Sequence, residues 1–511
     1  MLNNHLMTAF AKSFDKRSGK TFMEVHQGRS YTFGEFYQLS GQLAQALINA
    51  SVKKGDRVAV QVDKCPEAIM LYIACIRIGA VYLPLNTAYT EHELSYFIAD
   101  GEPKIFVCGP EKVDIAHAIA KLCHAAVHTL GPGQGSLLEQ AMQLTPITAD
   151  TPCGKNDSAA ILYTSGTTGQ SKGAMLTHGN LASNAGVLAE YWQFTENDRL
   201  IHALPIFHIH GLFVAFNVSM VSGCSMTILE KFSIEAILDL IPTSTCLMGV
   251  PTFYSRLLNK ERLSAKYVSH MRLFISGSAP LKAEIHEAFY RRTGHEILER
   301  YGMTETNMNT SNPYHGKRKA GTAGFPLPGV EVRITCRQTG AVLARNAVGS
   351  IELKGENVFK GYWRMPKKTE EAFTKDGYFI TGDLGKIDEE GYLHLVGRDK
   401  DLVISSGYNI YPKEIELLID EIDGVLESAV VGISHPDSGE APIAIVVRTG
   451  DAEVSEQSIM QHLTGKLAFY KHPKGVFFIP ALPRNGMGKI QKSVLRDQFA
   501  SLFHMFEPVC R

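Results

Sequence analysis

The sequence predicts a large α/β domain with parallel-rich sheets covered by helices, followed by a smaller α+β domain. A chain of 511 residues is too long for a single core. From Arg57 onward, short apolar runs alternate with longer amphipathic ones, which is typical of a parallel sheet covered by helices. After about Lys400 the order of strands and helices becomes mixed. We therefore expect a large domain over residues 1–398 and a small domain over residues 399–511.

The elements of the first sheet are predicted to follow one another closely. The apolar runs RVAVQV, AVYLPL and KIFVCG are short and favour strands, whereas CPEAIMLYIACIRIG and TEHELSYFIAD are longer and favour helices. Five further strands are expected at AAILYT, LIHALP, SMTIL, TSTCLMGVP and MRLFISG. The small domain is expected to have strands at DLVIS, ESAVVGI, PIAIVVRT and GVFFIP, and helices at PKEIELLIDEI, SEQSIMQHLTGKL and VLRDQF. Open α/β sheets usually bind ligands beyond the carboxyl ends of their strands, so the polar turns there are the first candidates for a site.

The composition excludes several classes of function. The 51 basic residues balance 52 acidic ones, so nothing indicates binding to nucleic acid or to an anionic membrane surface. No stretch approaches the ~18 consecutive apolar residues of a membrane span, and the N-terminus lacks the apolar core of a signal peptide. Nine cysteines without a CxxC pair fit reduced thiols in the cytoplasm. We expect small-molecule partners; a weak organelle presequence and a homo-oligomer are left open.

The segment ILYTSGTTGQSKG, from Ile161 to Gly173, indicates a phosphate-binding loop. Its glycines let backbone N–H groups turn toward an anion, its hydroxyl groups can donate hydrogen bonds, and its lysine adds a positive charge. The spacing does not match a Walker loop, so a nucleotide site of another kind is expected. A surface loop without a ligand is the alternative. The residues assigned to phosphate are Thr164, Ser165, Gly166, Thr167, Thr168, Gly169 and Lys172.

Five further segments share the character of this loop and follow it in a fixed order: SGSAP, YGMTET, TGD, GRDKD and PRNGMGK. Together these six motifs resemble the adenylate-forming superfamily of acyl-CoA synthetases, peptide-synthetase adenylation domains and luciferases, over nearly the whole chain. The resemblance implies an enzyme that uses ATP, Mg²⁺ and coenzyme A. In that reaction a carboxylate attacks the α-phosphate of ATP to give an acyl-adenylate and pyrophosphate, and a thiol then displaces AMP. A non-catalytic nucleotide-binding protein on the same fold is the alternative of another class.

The resemblance also assigns roles around ATP. Glu305 matches a magnesium-associated glutamate and Thr304 lies beside it, although a glutamate in this position could instead cap a helix. Tyr301 has a ring that could stack on adenine or simply fill the core. Asp383 matches a ribose-binding aspartate, with a loop stabilised by an Asx hydrogen bond as the alternative for TGD. Arg398 resembles a second contact, to the ribose or to a phosphate. The remaining assigned nucleotide contacts are Ser278, Ala279 and Pro280.

In this family the small domain is mobile and carries a catalytic lysine, which matches Lys489. Its charge would stabilise the pentavalent phosphate during adenylation. The alternative is a structural lysine in a Pro/Gly loop. Lys400 matches the hinge about which the small domain rotates, and Gly407 matches the position that leaves room for the pantetheine arm of coenzyme A.

The acid pocket is where the chain departs from the common pattern of the superfamily. Arg300 stands before the Tyr-Gly of YGMTET, where most relatives have a small residue, and a buried arginine requires an anion. A second carboxylate on the substrate would satisfy it, although pairing with Glu299 or Glu296 is the alternative. Five further segments are similar to malonyl-CoA synthetases: HALPIFHIHGLF, GVPTFYSRLL, MRLFISGSAPL, NVFKGYWRMP and YFITGDLGKID.

That similarity implies malonate as the acid, with methylmalonate or another short-chain acid as the alternative substrate. It places His208 at the border of the acyl site. Ser278 could contact either the nucleotide or the substrate carboxylate. His208 and His210 have no third clear ligand, so a metal site is not expected there.

Overall fold

The computed structural model describes residues 4–164, 171–405, 408–436, 438–450, 452–485 and 488–503. The fold class predicted from the sequence is confirmed: a large α/β portion with parallel-rich sheets precedes a smaller α+β portion. The α-helices in the described ranges are α1 (His5–Arg17), α2 (Phe33–Asn49), α3 (Pro66–Ile78), α4 (Glu91–Gly101), α5 (Val113–Ala120), α6 (Ser136–Met142), α7 (His178–Tyr191), α8 (Asn217–Ser222), α9 (Ile234–Leu240), α10 (Pro251–Leu258), α11 (Ala283–Thr293), α12 (Pro366–Glu371), α13 (Pro412–Asp420), α14 (Glu456–Leu463) and α15 (Lys492–Phe499). A π-helix, His210–Phe216, precedes α8 directly.

The strands include every one that the apolar runs predict. In chain order they are β1 (Thr21–Val25), β2 (Ser30–Thr32), β3 (Arg57–Gln61), β4 (Val81–Pro84), β5 (Ile105–Cys108), β6 (Ala126–Thr129), β7 (Ser158–Thr164), β8 (Lys172–Thr177), β9 (Arg199–His202), β10 (Ser225–Ile228), β11 (Cys246–Gly249), β12 (Leu273–Ser276), β13 (Leu298–Met303), β14 (Asn307–Ser311), β15 (Phe325–Pro326), β16 (Val330–Thr335), β17 (Gly349–Gly355), β18 (Gly361–Tyr362), β19 (Phe379–Ile387), β20 (Leu393–Arg398), β21 (Val403–Ser405), β22 (Tyr408–Ile410), β23 (Val425–His435), β24 (Gly439–Arg448) and β25 (Val476–Phe478).

Two sheets form the framework of the large portion. In the described residues, one has the order β15-β14-β13-β12-β11-β9-β10-β1-β2 and the other the order β18-β8-β7-β4-β3-β5-β6. The central strands of both sheets pair parallel. Antiparallel pairs lie at the edges: β2 at one edge of the first sheet and β14 and β15 at the other, and β8 and β18 at one edge of the second sheet. The parallel strands end in the turns that carry the candidate site residues.

Local sequence signals explain where the helices begin and end. Capping boxes at Thr32 and Glu35, and at Thr90 and Glu93, satisfy the free backbone N–H groups at the starts of α2 and α4. Helix α3 is buried along its whole length, which matches its continuous apolar sequence. It ends at Gly79, whose φ of 72° favours glycine. No helix in the described ranges is both long enough and apolar enough to cross a bilayer.

The chain divides into two compact units. The first consists of Met1–Val332, Leu353–Phe379 and Gly391–Leu393, and the second of Arg333–Glu352, Ile380–Glu390 and His394–Arg511. The second unit thus extends beyond residues 399–511, because most of the sheet β16-β17-β19-β20 belongs to it together with the sheet β22-β21-β24-β23 and β25. The predicted boundary between a large domain and a mobile small domain, at residues 398 and 399, stays a prediction.

Candidate active site

The two ends of the predicted phosphate loop are held together by a β-hairpin. Strands β7 and β8 pair antiparallel as far as Thr164 and Lys172, and the Thr164 hydroxyl donates to the carbonyl oxygen of Lys172 at 3.4 Å. The Tyr96 hydroxyl donates to the carbonyl oxygen of Ser171 at 2.8 Å. The predicted phosphate contacts Ser165, Gly166, Thr167, Thr168 and Gly169 lie outside the described residues. Only Thr164 and Lys172 of the predicted contacts can be placed.

Lys172 and Glu305 are linked by one aromatic residue, Tyr362. The Nζ of Lys172 lies 4.8 Å from the centre of the Tyr362 ring, within the range of a cation–π interaction. The hydroxyl of the same ring donates to Glu305 Oε1 at 3.1 Å. Burial raises the pKa of Tyr362, with the nearby Glu305 carboxylate adding to the effect, so the hydroxyl remains a donor at neutral pH. The cation of the predicted phosphate loop and the predicted magnesium carboxylate therefore contact one side chain.

Thr304 and Glu305 lie in the turn between β13 and β14. This turn joins two antiparallel strands, so the alternative that Glu305 caps a helix is wrong. The backbone carbonyl of Glu305 accepts a hydrogen bond from the Phe359 amide at 2.7 Å, and the residue is buried. Thr304 is half-buried beside it. The turn thus holds a buried carboxylate against Tyr362.

Tyr301 and Arg300 are neighbours on β13, and both are buried. A strand directs successive side chains to opposite faces, so the two residues project to different sides of the sheet. Tyr301 is 7 % exposed, and its hydroxyl lies 3.9 Å from the Met303 sulfur. A register shift follows Tyr301 in the pairing with β14. Its role in stacking on adenine stays a prediction.

Arg300 is buried with two of its guanidinium nitrogens unpaired. It is 4 % exposed, and neither Nε nor Nη2 has a hydrogen-bond partner among the described residues. The guanidinium lies against Gly277, at the end of the neighbouring strand β12: a Cβ on Gly277 would lie 2.5 Å from Nε and Nη1 of Arg300. Only a residue without a side chain leaves this space for the arginine.

The electrostatic surroundings of Arg300 do not neutralise it. Burial lowers the pKa of Arg300 to about 9, while Tyr254 and Glu299 act in the opposite direction, so the group stays charged at neutral pH. Glu299 instead accepts the Leu281 amide through Oε1 at 3.0 Å, and Glu296 accepts the amide of Arg318. Neither Nε nor Nη2 of Arg300 makes a hydrogen bond to a glutamate among the described residues. These two buried donors therefore remain available.

Two histidines and Ser278 border the same region. The His210 amide donates to His208 Nδ1 at 3.3 Å, and His210 Nδ1 lies 3.2 Å from Ser278 Oγ. Burial lowers the pKa of His210, and the positive charge of Arg300 lowers it further, so the ring is neutral. Ser278 adopts a φ of 68°, whereas Ala279 and Pro280 are exposed after it. Histidine, serine and arginine thus come together beyond the carboxyl end of β12.

Asp383 and Arg398 form an ion pair, with Nε of the arginine 2.8 Å from Oδ1 of the aspartate. Asp383 is buried in β19 and Arg398 ends β20. The backbone amide of Asp383 donates to the Thr381 hydroxyl, which itself donates to the carbonyl oxygen of Ile351. The TGD segment thus lies within β19. Asp383, the predicted ribose contact, lies beside Arg398, the predicted ribose or phosphate contact, and both roles stay predictions.

Lys489 and Lys400 belong to the second unit. Lys489 is exposed, and its backbone exchanges hydrogen bonds with Asn485, whose side-chain oxygen accepts the Lys489 amide at 3.0 Å. Lys400 lies in a single 3₁₀ turn, Asp399–Asp401. Arg337 pairs with the first residue of that turn and Arg496 with the last. Gly407 lies outside the described residues.

Sequence reasoning missed Tyr362 and Gly277. Tyr362 lies in the segment NVFKGYWRMP, whose local sequence gives no signal of a bond to Glu305. Gly277 follows a predicted strand, and its place directly before Ser278 was the available signal. Among the described residues no group of three or more His, Cys, Asp or Glu side chains could hold a metal ion.

The fold and these motifs define a class of protein. A family model described as AMP-binding enzyme matches residues 10–363, and a model described as AMP-binding enzyme C-terminal domain matches residues 414–489. The chain therefore belongs to the AMP-binding enzymes, and the predicted membership of the adenylate-forming superfamily is confirmed.

Individual relatives are similar over almost the whole chain. The crystal structure of ATP-bound MatB from Rhodopseudomonas palustris is 54 % identical, covers 98 % of this chain and 100 % of that one, and superposes with a TM-score of 0.96. The malonate–CoA ligase of Arabidopsis thaliana is 33 % identical over 545 residues, with 96 % of this chain and 88 % of that protein covered. A long-chain-fatty-acid–CoA ligase of Bacillus subtilis is 31 % identical over 540 residues, with 98 % and 96 % covered. These two ligases join different acids to the same thiol.

Proposed function

We propose that the protein is a cytoplasmic malonate–CoA ligase that uses ATP and gives malonyl-CoA, AMP and pyrophosphate. The observation that carries the choice of acid is the buried Arg300, whose Nε and Nη2 have no partner among the described residues. The similarity to a malonate–CoA ligase supports the same acid. The intermediate is malonyl-adenylate.

Arg300 selects a dicarboxylate because a buried charge without a partner is costly. Leaving one charge of a buried pair uncompensated costs about 3–5 kcal/mol in proteins. A guanidinium can bind a carboxylate through two parallel hydrogen bonds, which offsets that cost. Malonate has one carboxylate for this contact and a second for the reaction, whereas acetate or propionate leaves Arg300 unpaired. The arginine would thus favour malonate over a monocarboxylate.

The reaction proceeds in two displacements. An oxygen of the free malonate carboxylate attacks the α-phosphorus of ATP, and the bond to the pyrophosphate oxygen breaks. The thiol of coenzyme A, having lost its proton, then attacks the carbonyl carbon, and AMP leaves with the bonding electrons. Thr164, Lys172 and the intervening loop bind the β- and γ-phosphates, and Lys489 stabilises the charge on the α-phosphate during the first displacement.

The other residues orient the nucleotide. Asp383 offers its carboxylate to the ribose hydroxyls, with one oxygen held by Arg398. Tyr301 stacks on adenine, and Ser278, Ala279 and Pro280 line the same side. Thr304 lies near the α-phosphate. His208 borders the acid, which keeps the reacting carboxylate on the nucleotide side of the pocket.

Glu305 fits a magnesium ligand. It offers a buried carboxylate, and Oε1 is oriented by the Tyr362 hydroxyl. Mg²⁺ prefers oxygen ligands and is usually bound by one or two carboxylates together with phosphates and waters, so one glutamate suffices from the protein. When bound, the ion would neutralise phosphate charge during adenylation.

The small domain serves the second half-reaction. Lys400 is the hinge about which residues 399–511 rotate, and Gly407 leaves room for the pantetheine arm of coenzyme A. The presence of Lys489, Glu305 and Asp383 together disfavours a non-catalytic nucleotide-binding protein on this fold.

A pyrophosphate-release assay tests the proposal. The purified protein is incubated with ATP and Mg²⁺ and with malonate, methylmalonate, propionate or acetate, each with and without coenzyme A. We expect malonate to give the highest kcat/KM, and malonyl-CoA to form only when coenzyme A is present. A higher kcat/KM for acetate or propionate would overturn the assignment of the acid. A higher value for methylmalonate would replace malonate with the methylated dicarboxylate.

A further inference from the structure

Lys64 is a buried lysine without an acidic partner. It lies between β3 and α3 and is 8 % exposed. Its Nζ lies 2.8 Å from Nδ1 of His202 and 2.6 Å from the carbonyl oxygen of the same residue. Neither an ion pair nor any other partner is found for it in the described part of the chain. Burial lowers the pKa of Lys64 well below its ordinary value.

The contacts of His202 fix the positions of the hydrogens. Nε2 of His202 lies 2.8 Å from the carbonyl oxygen of Gly211. A carbonyl can only accept, so Nε2 carries the hydrogen, and Nδ1 of the neutral ring then accepts from Lys64. The Lys64 amine thus donates to both acceptors that His202 supplies, Nδ1 and the carbonyl oxygen. Burial lowers the pKa of His202 to about 3, with Lys64 acting in the same direction, which agrees with a neutral ring.

Gly211 lies where the turn that starts at Pro205 leads into the π-helix His210–Phe216, beside the proposed acid pocket. Its amide donates to the carbonyl oxygen of His208 at 3.1 Å, and a Cβ on Gly211 would overlap the carbonyl oxygen of Pro205. The turn from Pro205 to Gly211 carries both His208 and His210. The ring of His210 contacts Ser278, which follows the glycine against which Arg300 lies. One series of contacts thus runs from Lys64 to the surroundings of Arg300.

We infer that Lys64 is a positioning residue for the choice of acid: it fixes the tautomer of His202, and His202 holds the turn that carries His208 and His210 beside Arg300. Lys64 touches neither substrate nor nucleotide in this account. The inference rests on the proposed function, because it assigns a residue that shapes the same acid pocket.

The variant Lys64→Met tests the inference, because methionine keeps an unbranched buried side chain but has no N–H donor. His202 then either leaves Nδ1 unpaired or moves its hydrogen to Nδ1 and loses the bond to Gly211. We expect kcat/KM for malonate to fall about tenfold, mainly through KM. The value for propionate should fall less than about threefold, and KM for ATP should stay within about twofold. An unchanged malonate-to-propionate ratio would overturn the inference.

A double-mutant cycle separates positioning from loss of stability. If Lys64 acts through His202, then adding Lys64→Met to His202→Asn changes the acid ratio no further than His202→Asn alone. If the double variant instead changed the malonate-to-propionate ratio by the product of the two single-variant effects, the inference would be contradicted. Should Lys64→Met give no soluble protein, His202→Asn tests the link from residue 202 to Gly211, through which Lys64 is proposed to act, because asparagine can still accept from Lys64 but cannot reach Gly211. The inference requires that His202→Asn lowers the malonate-to-propionate ratio, and an unchanged ratio would overturn it.

The matched control is Ser13→Ala, which removes another buried hydrogen bond to a carbonyl oxygen, that of Met220, in the same unit. It should lower stability without changing the ratio of malonate to propionate. If Ser13→Ala also changed the malonate-to-propionate ratio, that ratio would depend on the stability of the protein, and the positioning role inferred for Lys64 would be overturned. Failure of the wild-type protein to use malonate would instead refute the proposed function, so the two failures are distinguishable.

Discussion

The guanidinium of Arg300 lies against the backbone of Gly277, in a space that a single methyl group would fill. The two residues belong to neighbouring strands of one sheet: Gly277 directly follows β12, and Arg300 is the third residue of β13. The pairing of these strands sets the glycine beside the arginine. The position of the Arg300 charge in the proposed acid pocket therefore depends on a residue that has no side chain.

Gly277→Ala should displace Arg300. The added Cβ overlaps the guanidinium, so the arginine must move away from the position in which it meets the second carboxylate. We expect kcat/KM for malonate to fall about tenfold or more, while the value for propionate changes less. Steady-state pyrophosphate release measures both. The control Gly186→Ala adds a methyl group in α7 where no atom lies within 4 Å and should leave both values unchanged. Equal losses for the two acids in Gly277→Ala would contradict the account.

Tyr362→Phe should weaken the link between Glu305 and the phosphate loop. Phenylalanine keeps the ring that faces Lys172 but removes the hydroxyl that orients the carboxylate. Loss of a hydrogen bond to a charged group is worth roughly 1.5–3 kcal/mol. We expect kcat for adenylation to fall at least about tenfold and the concentration of Mg²⁺ needed for half-maximal activity to rise. Tyr362→Leu, which also loses the ring, should raise KM for ATP as well. A normal magnesium titration in Tyr362→Phe would argue against this role.

Lys489→Ala should abolish one half-reaction and spare the other. Removal of its charge leaves the α-phosphate without its stabilising cation, so adenylation should fall by a factor of about 100 or more. Formation of the thioester from supplied malonyl-adenylate should continue. The matched control Lys474→Ala, another exposed lysine of the second unit, should retain both activities. Parallel loss of both half-reactions in Lys489→Ala would mean that the substitution damages the fold.

His178 should make the protein less stable in acid. Its side chain is buried at the start of α7, and neither ring nitrogen has a hydrogen-bond partner in the described residues. Burial lowers the pKa of His178 to about 4, below the ordinary 6.5, so the unfolded state binds the proton more readily. Its contribution to stability is complete above pH 6.5 and is lost as the pH falls toward 4.

Between pH 7 and pH 5 this histidine alone should lower the free energy of unfolding by about 2 kcal/mol. Denaturant unfolding at the two pH values measures the difference, and His178→Gln should reduce it by that amount. An identical pH dependence in wild type and variant would contradict the assignment.

The alternation of short apolar runs with longer amphipathic runs made much of the fold predictable. Runs such as RVAVQV and KIFVCG are buried on both faces of a parallel sheet, so their apolar character is continuous and each was expected as a strand. The hairpin of β13 and β14 was not foreseen, because its residues are polar and yet buried. Asn307 and Asn309 are held there by the surrounding fold and give no alternation that sequence reasoning can use.

The candidate site was predictable where it depends on short motifs and not where it depends on contacts across the fold. Asp383 and Arg398 were assigned one by one, and the structure pairs them. The bond from Tyr362 to Glu305 joins residues 57 positions apart, and that from Lys64 to His202 joins residues 138 apart. Such pairs are set by the packing of strands and turns, so no local pattern reveals them.

The most direct test of the account is the ratio of kcat/KM for malonate to that for propionate, measured by pyrophosphate release in wild type and in Arg300→Gly. If Arg300 holds the second carboxylate, the wild-type ratio should be high and should fall in the variant by about 100-fold, which corresponds to roughly 2–3 kcal/mol. Most of the change should come from lost malonate activity, with propionate activity kept or increased. A ratio that is the same in both proteins would contradict the central claim that Arg300 selects the acid.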